Sequence, residues 1–294
     1  MAKEQIKRFI TRLMGKYCPK LLVSILYKRK FGKRLNWHNP QTLNEKIQWL
    51  KFNTDISSWS LLADKYRVRE YVKQRGCEEI LVKLYGVWKN PSLIEWDKLP
   101  SQFVMKSNSG CGDVLICKDK ASIVQANWGG YFLKIIHKKY GYESGETHYA
   151  AIKPVIIAEE LLDAGKQVIV SSSLIDYKVW CFNGKPYSIL VCSNRTHDTL
   201  ELSCYDMNWN FHPENIRDGS HYKRASQTLP RPKELGQMLE YARKLSVGLP
   251  QVRVDFYEVD GKVYFGEMTM TSCGGLMDYY TDEYLLEMGN QIEL

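Results

Sequence analysis

The 294-residue chain lacks the short patterns that mark zinc-binding and membrane-spanning proteins. Its eight cysteines are scattered, none forms a Cys-x-x-Cys pair, and no cysteine and histidine cluster has zinc-site spacing. No apolar run approaches the roughly 20 residues of a membrane span. The run from Leu21 to Tyr27 ends in Lys28-Arg29-Lys30 and has no small-residue cleavage site, which argues against a signal peptide. These absences predict a reduced, cytoplasmic protein.

The common nucleotide-binding signatures are also missing. The glycine-rich stretch from Ser107 to Gly112 is not closed by Gly-Lys-Ser/Thr, so it is not a P-loop. It also lacks the third glycine and the helix of a Rossmann fingerprint. Asp-x-Asp, which metal-dependent sugar-nucleotide enzymes commonly carry, does not occur, and there are no internal repeats or low-complexity tracts. Any nucleotide site must therefore use another architecture.

Basic charge is concentrated at the beginning of the chain. Residues 1–34 hold eleven lysines and arginines against one acid, Glu4, a net charge of +10. The other residues hold 30 basic and 32 acidic side chains, a net charge of −2. Apolar residues recur at helical spacing in residues 3–14, which predicts a basic amphipathic helix. Such a helix either packs on the main body or is attracted to anionic lipid or an acidic polysaccharide.

The order of predicted elements favours an α+β fold over an all-parallel sheet. Helices are expected at residues 41–52, 61–75, 121–139 and 233–247, and short strands at 80–85, 103–106, 114–117 and 155–159. Hairpins are expected at Asn183-Gly184, between strands 174–182 and 186–191, and at Asp260-Gly261, between strands 252–259 and 262–268. The pattern divides the chain into a helical region at 1–60 and two α+β regions at 61–153 and 154–294.

The second hairpin carries the strongest candidate site. Asp255 lies five residues before the turn at Asp260-Gly261, and Glu267 lies six residues after it. The two carboxylates are therefore expected at nearly the same level across the ladder, with Arg253 on the face of Asp255. Magnesium accepts carboxylate oxygens and leaves other positions to water and phosphate, and Arg253 would offset phosphate charge. The structural alternative is an Arg–Asp ion pair beside a surface glutamate.

A lysine and a glycine loop form a second motif. Lys106 is at the end of a predicted strand, and the loop after it contains Ser109, Gly110 and Gly112. Such a loop can present backbone N–H groups to phosphate, and Lys106 can add its charge. A glycine hairpin is also a common structural feature, so this signal is weak alone.

Two further strands carry paired polar residues. One apolar strand runs into Glu159, Glu160, Leu161 and Leu162, which suits a hinge that binds adenine, although the pattern also fits a strand ending at the surface. On another, alternation places Asp176 and Lys178 on one face, where Lys178 can reach phosphate or the acid beside it. The alternative for this pair is the exposed face of a hairpin.

Taken in order, these motifs resemble the ATP-grasp superfamily and, more closely, the TupA-like ATP-grasp family of bacterial surface-polysaccharide loci. The resemblance covers the chain from about residue 36. It is carried by Trp37-His-Asn-Pro-Gln-Thr-Leu-Asn-Glu-Lys, Ala63-Asp-Lys-Tyr, Trp96-Asp-Lys-Leu-Pro, residues 103–112, Ile152-Lys-Pro, residues 176–184 and residues 253–271. It implies two α+β subdomains that grip ATP between them, preceded by a helical N-terminal segment.

The resemblance also implies roles for individual residues. Lys106, with Ser109, Gly110 and Gly112 of the loop, would contact phosphates, and residues 159–162 would hold adenine. Magnesium would bind Asp255 and Glu267, and Arg253, Lys178 and Asp176 would act at the reacting groups. Many ATP-grasp enzymes have asparagine where this chain has Thr269, so a hydroxyl would complete the site. One or two metal ions both remain open.

The function implied is an ATP- and magnesium-dependent carboxylate–amine ligase acting through an acyl phosphate. Its expected partners are an amine and an acidic saccharide or lipid-linked polysaccharide that carries a uronic acid. Residues 1–34 are also expected to bind peripherally to the inner face of the cytoplasmic membrane. Trp37, His38 and Asn39 are candidate acceptor contacts. The alternatives are a sugar phosphotransferase with Asp176 as base, a glycosyltransferase, and a polysaccharide-binding protein without catalysis. No nucleic-acid motif accompanies the basic segment.

Overall fold

The computed structural model describes residues 2–110, 112–123, 125–138 and 140–294. In these residues the α-helices are α1 (Ala2–Tyr17), α2 (Pro19–Phe31), α3 (Leu43–Asn53), α4 (Ser57–Leu62), α5 (Val68–Gln74), α6 (Gln125–Ile136), α7 (Thr147–Ala150), α8 (Leu235–Ser246) and α9 (Asp282–Gly289). The strands are β1 (Leu84–Trp88), β2 (Phe103–Ser107), β3 (Val114–Cys117), β4 (Ile156–Glu159), β5 (Asp176–Phe182), β6 (Lys185–Ser193), β7 (Leu200–Tyr205), β8 (Tyr222–Arg224), β9 (Gln251–Val259) and β10 (Lys262–Thr269). None of the described helices is long and apolar enough to cross a membrane.

The strands form two separate sheets. One has four antiparallel strands in the order β1-β4-β2-β3, and its inner face packs on α6 through Phe103, Met105 and Phe132. The other has six strands in the order β10-β9-β5-β6-β7-β8, antiparallel except for the β7–β8 pair. Helix α8 packs on β5, β6 and β9 of this larger sheet. The predicted α+β class is confirmed.

The chain divides into two compact units, each assembled from separate stretches. The first contains residues up to Leu22, 56–71 and 81–162, and so holds the four-stranded sheet. The second contains 23–55, 72–80 and 163–294, and holds the six-stranded sheet. The predicted continuous regions 1–60, 61–153 and 154–294 stay a prediction.

Both predicted hairpins are present, and their turns use the expected residues. Asn183-Gly184 and Asp260-Gly261 each place two consecutive residues at positive φ, which is the backbone of a two-residue type I′ turn. The predicted capping box also forms, since the Thr42 hydroxyl accepts the Glu45 N–H and the Glu45 carboxylate accepts the Thr42 N–H. Local turn and capping residues therefore determine where the two hairpins turn and where α3 begins.

The predicted helix at 61–75 is wrong as a single element. Helix α4 ends at Leu62 and α5 begins at Val68, because the buried Asp64 carboxylate accepts the N–H groups of Tyr66 and Arg67 at 2.9 and 3.1 Å. An aspartate that takes backbone donors in this way favours a turn over a helix interior.

Other predicted boundaries also shift. The strand expected at 80–85 is a 3₁₀ turn (Glu78–Ile80) followed by β1. Residues 121–139 form a 3₁₀ turn and then α6, while Val124 and Lys139 of that prediction lie outside the described residues. Helices α2, α7 and α9 and strands β7 and β8 had no predicted counterpart, so sequence periodicity alone gave an incomplete set of elements.

Candidate functional site

A row of three charged residues crosses three neighbouring strands of the larger sheet. Lys178 on β5 is the register partner of Asp255 on β9, and Asp255 is the register partner of Glu267 on β10. Two residues farther along these strands, Arg253 on β9 is the register partner of Thr269 on β10. These five residues, together with Asp176, are called here the strand cluster. The predicted level pairing of Asp255 and Glu267 is therefore present.

A β-bulge between β9 and β10 brings Glu267 directly opposite Asp255. The two carboxylates are unequally distant from the turn, and the ladder between β9 and β10 shifts register between Phe265 and Glu267. Gly266 is the extra residue, and a Cβ atom added there would come within 3.0 Å of the Asp255 carbonyl oxygen. Bulges re-aim side chains in this way, and here the bulge brings Glu267 opposite Asp255.

Asp255 is the most deeply buried acid of the strand cluster, and both its oxygens are engaged. Arg253 donates from Nε to Oδ1 at 2.7 Å and from Nη2 to Oδ2 at 2.8 Å, while Lys178 Nζ donates to Oδ2 at 2.5 Å. Burial alone would lower the pKa of Lys178, but the charges of Asp176 and Asp255 raise it above its usual value. The same balance, dominated by Asp255, raises the pKa of Arg253. Both cations stay charged.

Arg253 connects the two predicted oxygen ligands on β10. Its Nη2 donates to Thr269 Oγ1 at 3.1 Å and lies 3.5 Å from Glu267 Oε1, and Thr269 Oγ1 in turn donates to Glu267 at 3.3 Å. Its Nη1 donates to Ser272 Oγ at 2.6 Å. Sequence reasoning missed Ser272, whose place near Arg253 depends on the 3₁₀ turn that follows β10.

Asp176 lies at the end of the strand cluster and is held by a second arginine. Arg195 Nη2 donates to Asp176 Oδ2 at 2.8 Å, and Lys178 Nζ lies 3.6 Å from the same oxygen. The charge of Asp176, together with burial, raises the pKa of Tyr257 well above its usual value. Arg195 follows β6, whose pairing with β5 places Cys192 opposite Asp176.

The strand cluster suits a magnesium ion by its chemistry. Asp255, Glu267 and Thr269 offer carboxylate and hydroxyl oxygens within one hydrogen-bonded group, and magnesium prefers oxygen ligands. Asp255 accepts three of the roughly four hydrogen bonds that a carboxylate can take, so Glu267, with 38% of its side chain exposed, is the more accessible ligand. Within the described part of the chain no group of three or more histidine, cysteine or acidic residues forms a metal site. Two carboxylates would leave the remaining positions to water and phosphate.

A second charged group lies in the four-stranded sheet and is called here the Glu159 cluster. Glu159 on β4 accepts from Lys106 Nζ at 2.5 Å through one oxygen and from Arg69 Nη1 at 3.2 Å through the other. Arg69 also donates to the Val82 carbonyl at 2.7 Å. Burial lowers the pKa of Arg69, an effect that Glu159 opposes. Arg69 comes from α5, so no strand pattern could have identified it.

The glycine loop beside Lys106 is closed by its own side chains. Ser107 Oγ accepts the Gly110 N–H at 2.9 Å, and the Gly110 carbonyl accepts from Lys65 Nζ at 2.8 Å. Buried Asn108 accepts the Val155 N–H at 2.8 Å and donates to the Lys153 carbonyl at 3.1 Å. Cys111 of this loop lies outside the described residues. Among the predicted loop residues, Ser109 is buried, and Gly112 has a φ of +79°.

The remaining predicted adenine contacts follow directly after β4. Glu160 is exposed and its N–H donates to the Lys83 carbonyl at 2.9 Å, whereas Leu161 and Leu162 are half-buried. The structure thus gathers the predicted nucleotide residues in the four-stranded unit and the predicted catalytic and metal residues in the six-stranded unit.

Two surface cavities lie away from these clusters. One, of about 500 Å³, is at the β5–β6 turn beside Arg243 and Val247. The other, of about 350 Å³, is lined in part by His38, Asn39 and Trp49. Neither lining includes a predicted nucleotide-binding, metal-binding or catalytic residue. The smaller cavity does include His38 and Asn39, two of the three residues predicted to contact the acceptor. The third, Trp37, donates to Ser24 Oγ at 3.0 Å and packs edge-on against Phe52.

The chain is also similar to solved structures of ligases, at low identity and with TM-scores below 0.5. The D-alanine–D-alanine ligase of Bacillus anthracis complexed with ATP has 15% identity and a TM-score of 0.44 over 81% of this chain and 66% of that chain. The D-alanine–D-alanine ligase of Helicobacter pylori has 16% identity and a TM-score of 0.43 over 87% and 68%. The ATP-grasp ligase PsnB complexed with a minimal precursor has 12% identity and a TM-score of 0.39 over 84% and 67%. The chain spans about two thirds of the length of these enzymes.

The family assignment rests on sequence. Among curated proteins none matches the chain. The family model described as TupA-like ATPgrasp matches residues 45–293, which is most of the chain. This match confirms the predicted fold, the predicted class of ATP-dependent ligase, and ATP with Mg²⁺ as the cofactors that ATP-grasp enzymes use. The chain belongs to the TupA-like ATP-grasp family.

Proposed function

We propose that this protein joins a carboxylate to an amine at the expense of ATP, with Asp255, Glu267 and Thr269 as the magnesium ligands. The observation that carries the proposal is the register row Lys178–Asp255–Glu267 with Arg253 beside it. It supplies oxygen ligands and two cations whose pKa values are raised by neighbouring acids, all within one sheet. That combination suits a reaction whose catalysis consists of positioning and charge neutralisation.

Bound ATP with magnesium supplies a phosphoryl group that makes the substrate carboxylate reactive. The carboxylate oxygen would attack the γ-phosphorus, and ADP would leave. The nitrogen of the neutral amine would then attack the acyl carbon, the bond to phosphate would break to leave the amide, and the proton lost by the nitrogen would pass to the released phosphate. In this scheme Lys178 and Arg253 attract the phosphate and substrate oxygens, because the neighbouring acids keep both side chains charged despite their burial. The chain needs no general base for the first step, since the attacking carboxylate is already ionised.

The nucleotide is proposed to contact the Glu159 cluster. Lys106 would contact phosphate oxygens, the loop residues Ser109, Gly110 and Gly112 would lie along them, and residues 159–162 would line the adenine. The ion pair between Lys106 and Glu159 supports this role by fixing the lysine at the end of β2.

The substrates are proposed to be a uronic acid of a bacterial surface polysaccharide and an amino acid or another amine. This part rests on the TupA-like family and on the excess of basic residues in 1–34, which suits an acidic acceptor. A uronic acid supplies the free carboxylate that the chemistry requires.

The surroundings of Asp176 favour the ligase over the sugar phosphotransferase. A phosphotransferase needs a base for the sugar hydroxyl, and Asp176 was the candidate. Its Oδ2 accepts a hydrogen bond from Arg195 at 2.8 Å and lies 3.6 Å from Lys178, so this oxygen is already held by two cations and is not directed at a substrate hydroxyl. We therefore propose that Asp176 positions Lys178.

The test uses hydroxylamine to trap the activated carboxylate. Wild-type protein, ATP with magnesium and a uronic-acid oligosaccharide should yield ADP and a hydroxamate in equal amounts. Asp255→Asn should yield neither, and Asp97→Asn, which changes an exposed aspartate of the other unit, should match the wild type. A phosphorylated sugar detected by ³¹P NMR would instead indicate a phosphotransferase, and UDP released from a UDP-sugar would indicate a glycosyltransferase.

A further inference from the structure

Helix α1 presents a continuous apolar stripe to solvent. Ile6, Phe9, Ile10 and Leu13 follow the spacing of one helical face, and each is between 41% and 62% exposed. Tyr17 continues the same spacing at the end of the helix and is also exposed. Single exposed apolar residues are ordinary on protein surfaces, but a contiguous row indicates an interaction site.

The stripe is not the face that holds α1 to the protein. Helix α1 packs against the 3₁₀ turn Tyr142–Ser144, and Gly15 is buried there so tightly that a Cβ atom would lie 1.6 Å from the Tyr142 carbonyl oxygen. Arg12 adds an ion pair to Glu143 at 2.6 Å. Because Gly15 and Thr11 lie four residues apart on the packed face, the residues of the stripe point elsewhere around the helix.

Basic side chains flank the stripe on both sides. Up to Leu22 the chain has one acid, Glu4, and six basic residues, a net charge of +5; the basic residues are Lys3, Lys7, Arg8, Arg12, Lys16 and Lys20. Helical periodicity places Lys3 and Lys7 on one side of the stripe and Arg12 and Lys16 on the other. An apolar face bordered by lysine and arginine is the pattern of a helix that lies in a membrane interface.

We propose that α1 docks on an anionic lipid surface, with its apolar stripe entering the headgroup–acyl boundary. The proposal is independent of the ligase chemistry. An acidic polysaccharide would complement the charge but would leave the apolar stripe in water. A second copy of the chain would cover the stripe but would bring two like-charged segments together in a symmetric contact, which costs free energy. An anionic bilayer complements both features.

The test is flotation of the full chain with vesicles of phosphatidylcholine alone or mixed with phosphatidylglycerol. The wild type should float with the mixed vesicles and much less with phosphatidylcholine, and added salt should weaken binding. The double variant Phe9→Glu/Ile10→Glu should lose at least about tenfold in vesicle affinity, since two anchoring side chains become anions. Val170→Glu changes a 97% exposed apolar residue outside α1 and should bind as the wild type does.

Variants that remove basic residues distinguish specific binding to anionic lipid from nonspecific adsorption to vesicles. Lys3→Gln/Lys7→Gln should lower the affinity for mixed vesicles by about fivefold for each cation removed, whereas Lys118→Gln, an exposed lysine elsewhere, should not. All these variants alter exposed positions, so their melting temperatures should equal that of the wild type. Bound Mg-ATP is expected to raise the melting temperature, and this increase should be the same in these variants as in the wild type, which distinguishes this proposal from the ligase proposal.

Three outcomes would overturn the proposal. Equal flotation of the wild type and Phe9→Glu/Ile10→Glu would show that the apolar stripe does not contribute to membrane binding. Binding to a soluble acidic polysaccharide with no flotation would assign the segment to a polymer. A dimer that Phe9→Glu/Ile10→Glu converts to a monomer, again with no flotation, would assign the stripe to a second copy of the chain.

Discussion

The strand cluster and the Glu159 cluster are built from the same kinds of residue in different ways. In the strand cluster, all six residues lie on β5, β9 and β10, so the hydrogen-bond register fixes their positions. In the Glu159 cluster, Lys106 and Glu159 lie on neighbouring strands, but Arg69 comes from α5 and the adjacent loop is closed by side chains. Register is set locally by turns and bulges, whereas a helix-to-strand contact depends on the packing of the whole unit.

The two clusters also differ in burial, and this sets the cost of breaking them. The side chain of Asp255 is 2% exposed and that of Glu159 is 9% exposed, and the cations of the Glu159 cluster reach water more readily than those around Asp255. A buried cation that loses its partner cannot recover the lost interaction from solvent. The strand cluster should therefore be the more sensitive of the two.

The largest effect is expected for Asp255→Asn. It leaves Arg253 and Lys178 buried with one acidic neighbour fewer, which should cost about 3–5 kcal/mol of unfolding free energy. The proposed metal site also loses one of its two carboxylates, so ATP turnover should fall to background. Urea unfolding and phosphate release measure the two effects. A variant as stable as the wild type would show that the ion pairs around Asp255 contribute little.

Glu159→Gln should have a smaller effect on stability and a selective effect on ATP. Lys106 and Arg69 lose a charged acceptor, at a cost of about 1.5–3 kcal/mol, but both can be partly rehydrated. ATP affinity should fall, as measured by calorimetry with magnesium present, and Glu95→Gln, at an exposed glutamate of the same unit, is the matched control. If Glu159→Gln proved more destabilising than Asp255→Asn, the ranking by burial would be wrong.

Gly266→Ala tests whether the bulge places Glu267. The new Cβ would lie 3.0 Å from the Asp255 carbonyl oxygen, so the two strands must separate slightly, at a cost of about 1–2 kcal/mol. Turnover should fall about tenfold or more, because a misplacement of about 1 Å can lower a catalytic rate by about 100-fold. The matched control is Gly236→Ala in α8, where a Cβ meets no atom within 4 Å and stability should rise slightly. Equal turnover in both variants would show that the bulge has no functional role.

Sequence reasoning succeeded where the structure is determined by local rules. The turn at Asp260-Gly261 and the alternation of β9 were sufficient to predict that Asp255, Glu267 and Arg253 lie together. The bulge at Gly266 was not predicted, although the unequal distances of the two acids from the turn were its signal. A glycine within an otherwise regular strand is the pattern that would have located it.

The missed residues share a different property. Arg69, Arg195 and Ser272 reach the clusters from a helix, a strand end and a 3₁₀ turn, and each contact joins positions far apart in sequence. Neither the helical nor the strand period relates such positions. The break between α4 and α5 likewise depends on the buried carboxylate of Asp64, whose burial is a property of the folded unit.

The smallest effect is expected at Glu258, a second buried acid of β9 that lacks the cations of Asp255. Its Oε1 accepts the Lys233 N–H at 3.2 Å, while Oε2 has no partner among the described residues. Burial raises its pKa above the usual value, so the folded protein binds this proton more tightly than the unfolded chain does. The contribution of Glu258 to stability is therefore fully present below the pKa of the unfolded chain and is lost as pH rises through the higher pKa of the folded protein.

Glu258→Gln should remove that dependence, because the amide keeps an oxygen for the Lys233 N–H and carries no charge. At neutral pH the variant should be slightly more stable than the wild type, and at a pH below the usual glutamate value the two should converge. Glu293→Gln, at an exposed position, should change neither value. Urea unfolding from acid to neutral pH gives the result. A Glu258→Gln protein that is less stable than the wild type at neutral pH would show that the ionised carboxylate of Glu258 is stabilised in the fold. A carboxylate buried on β9 would then not need neighbouring cations, as Asp255 has, to offset the cost of its burial.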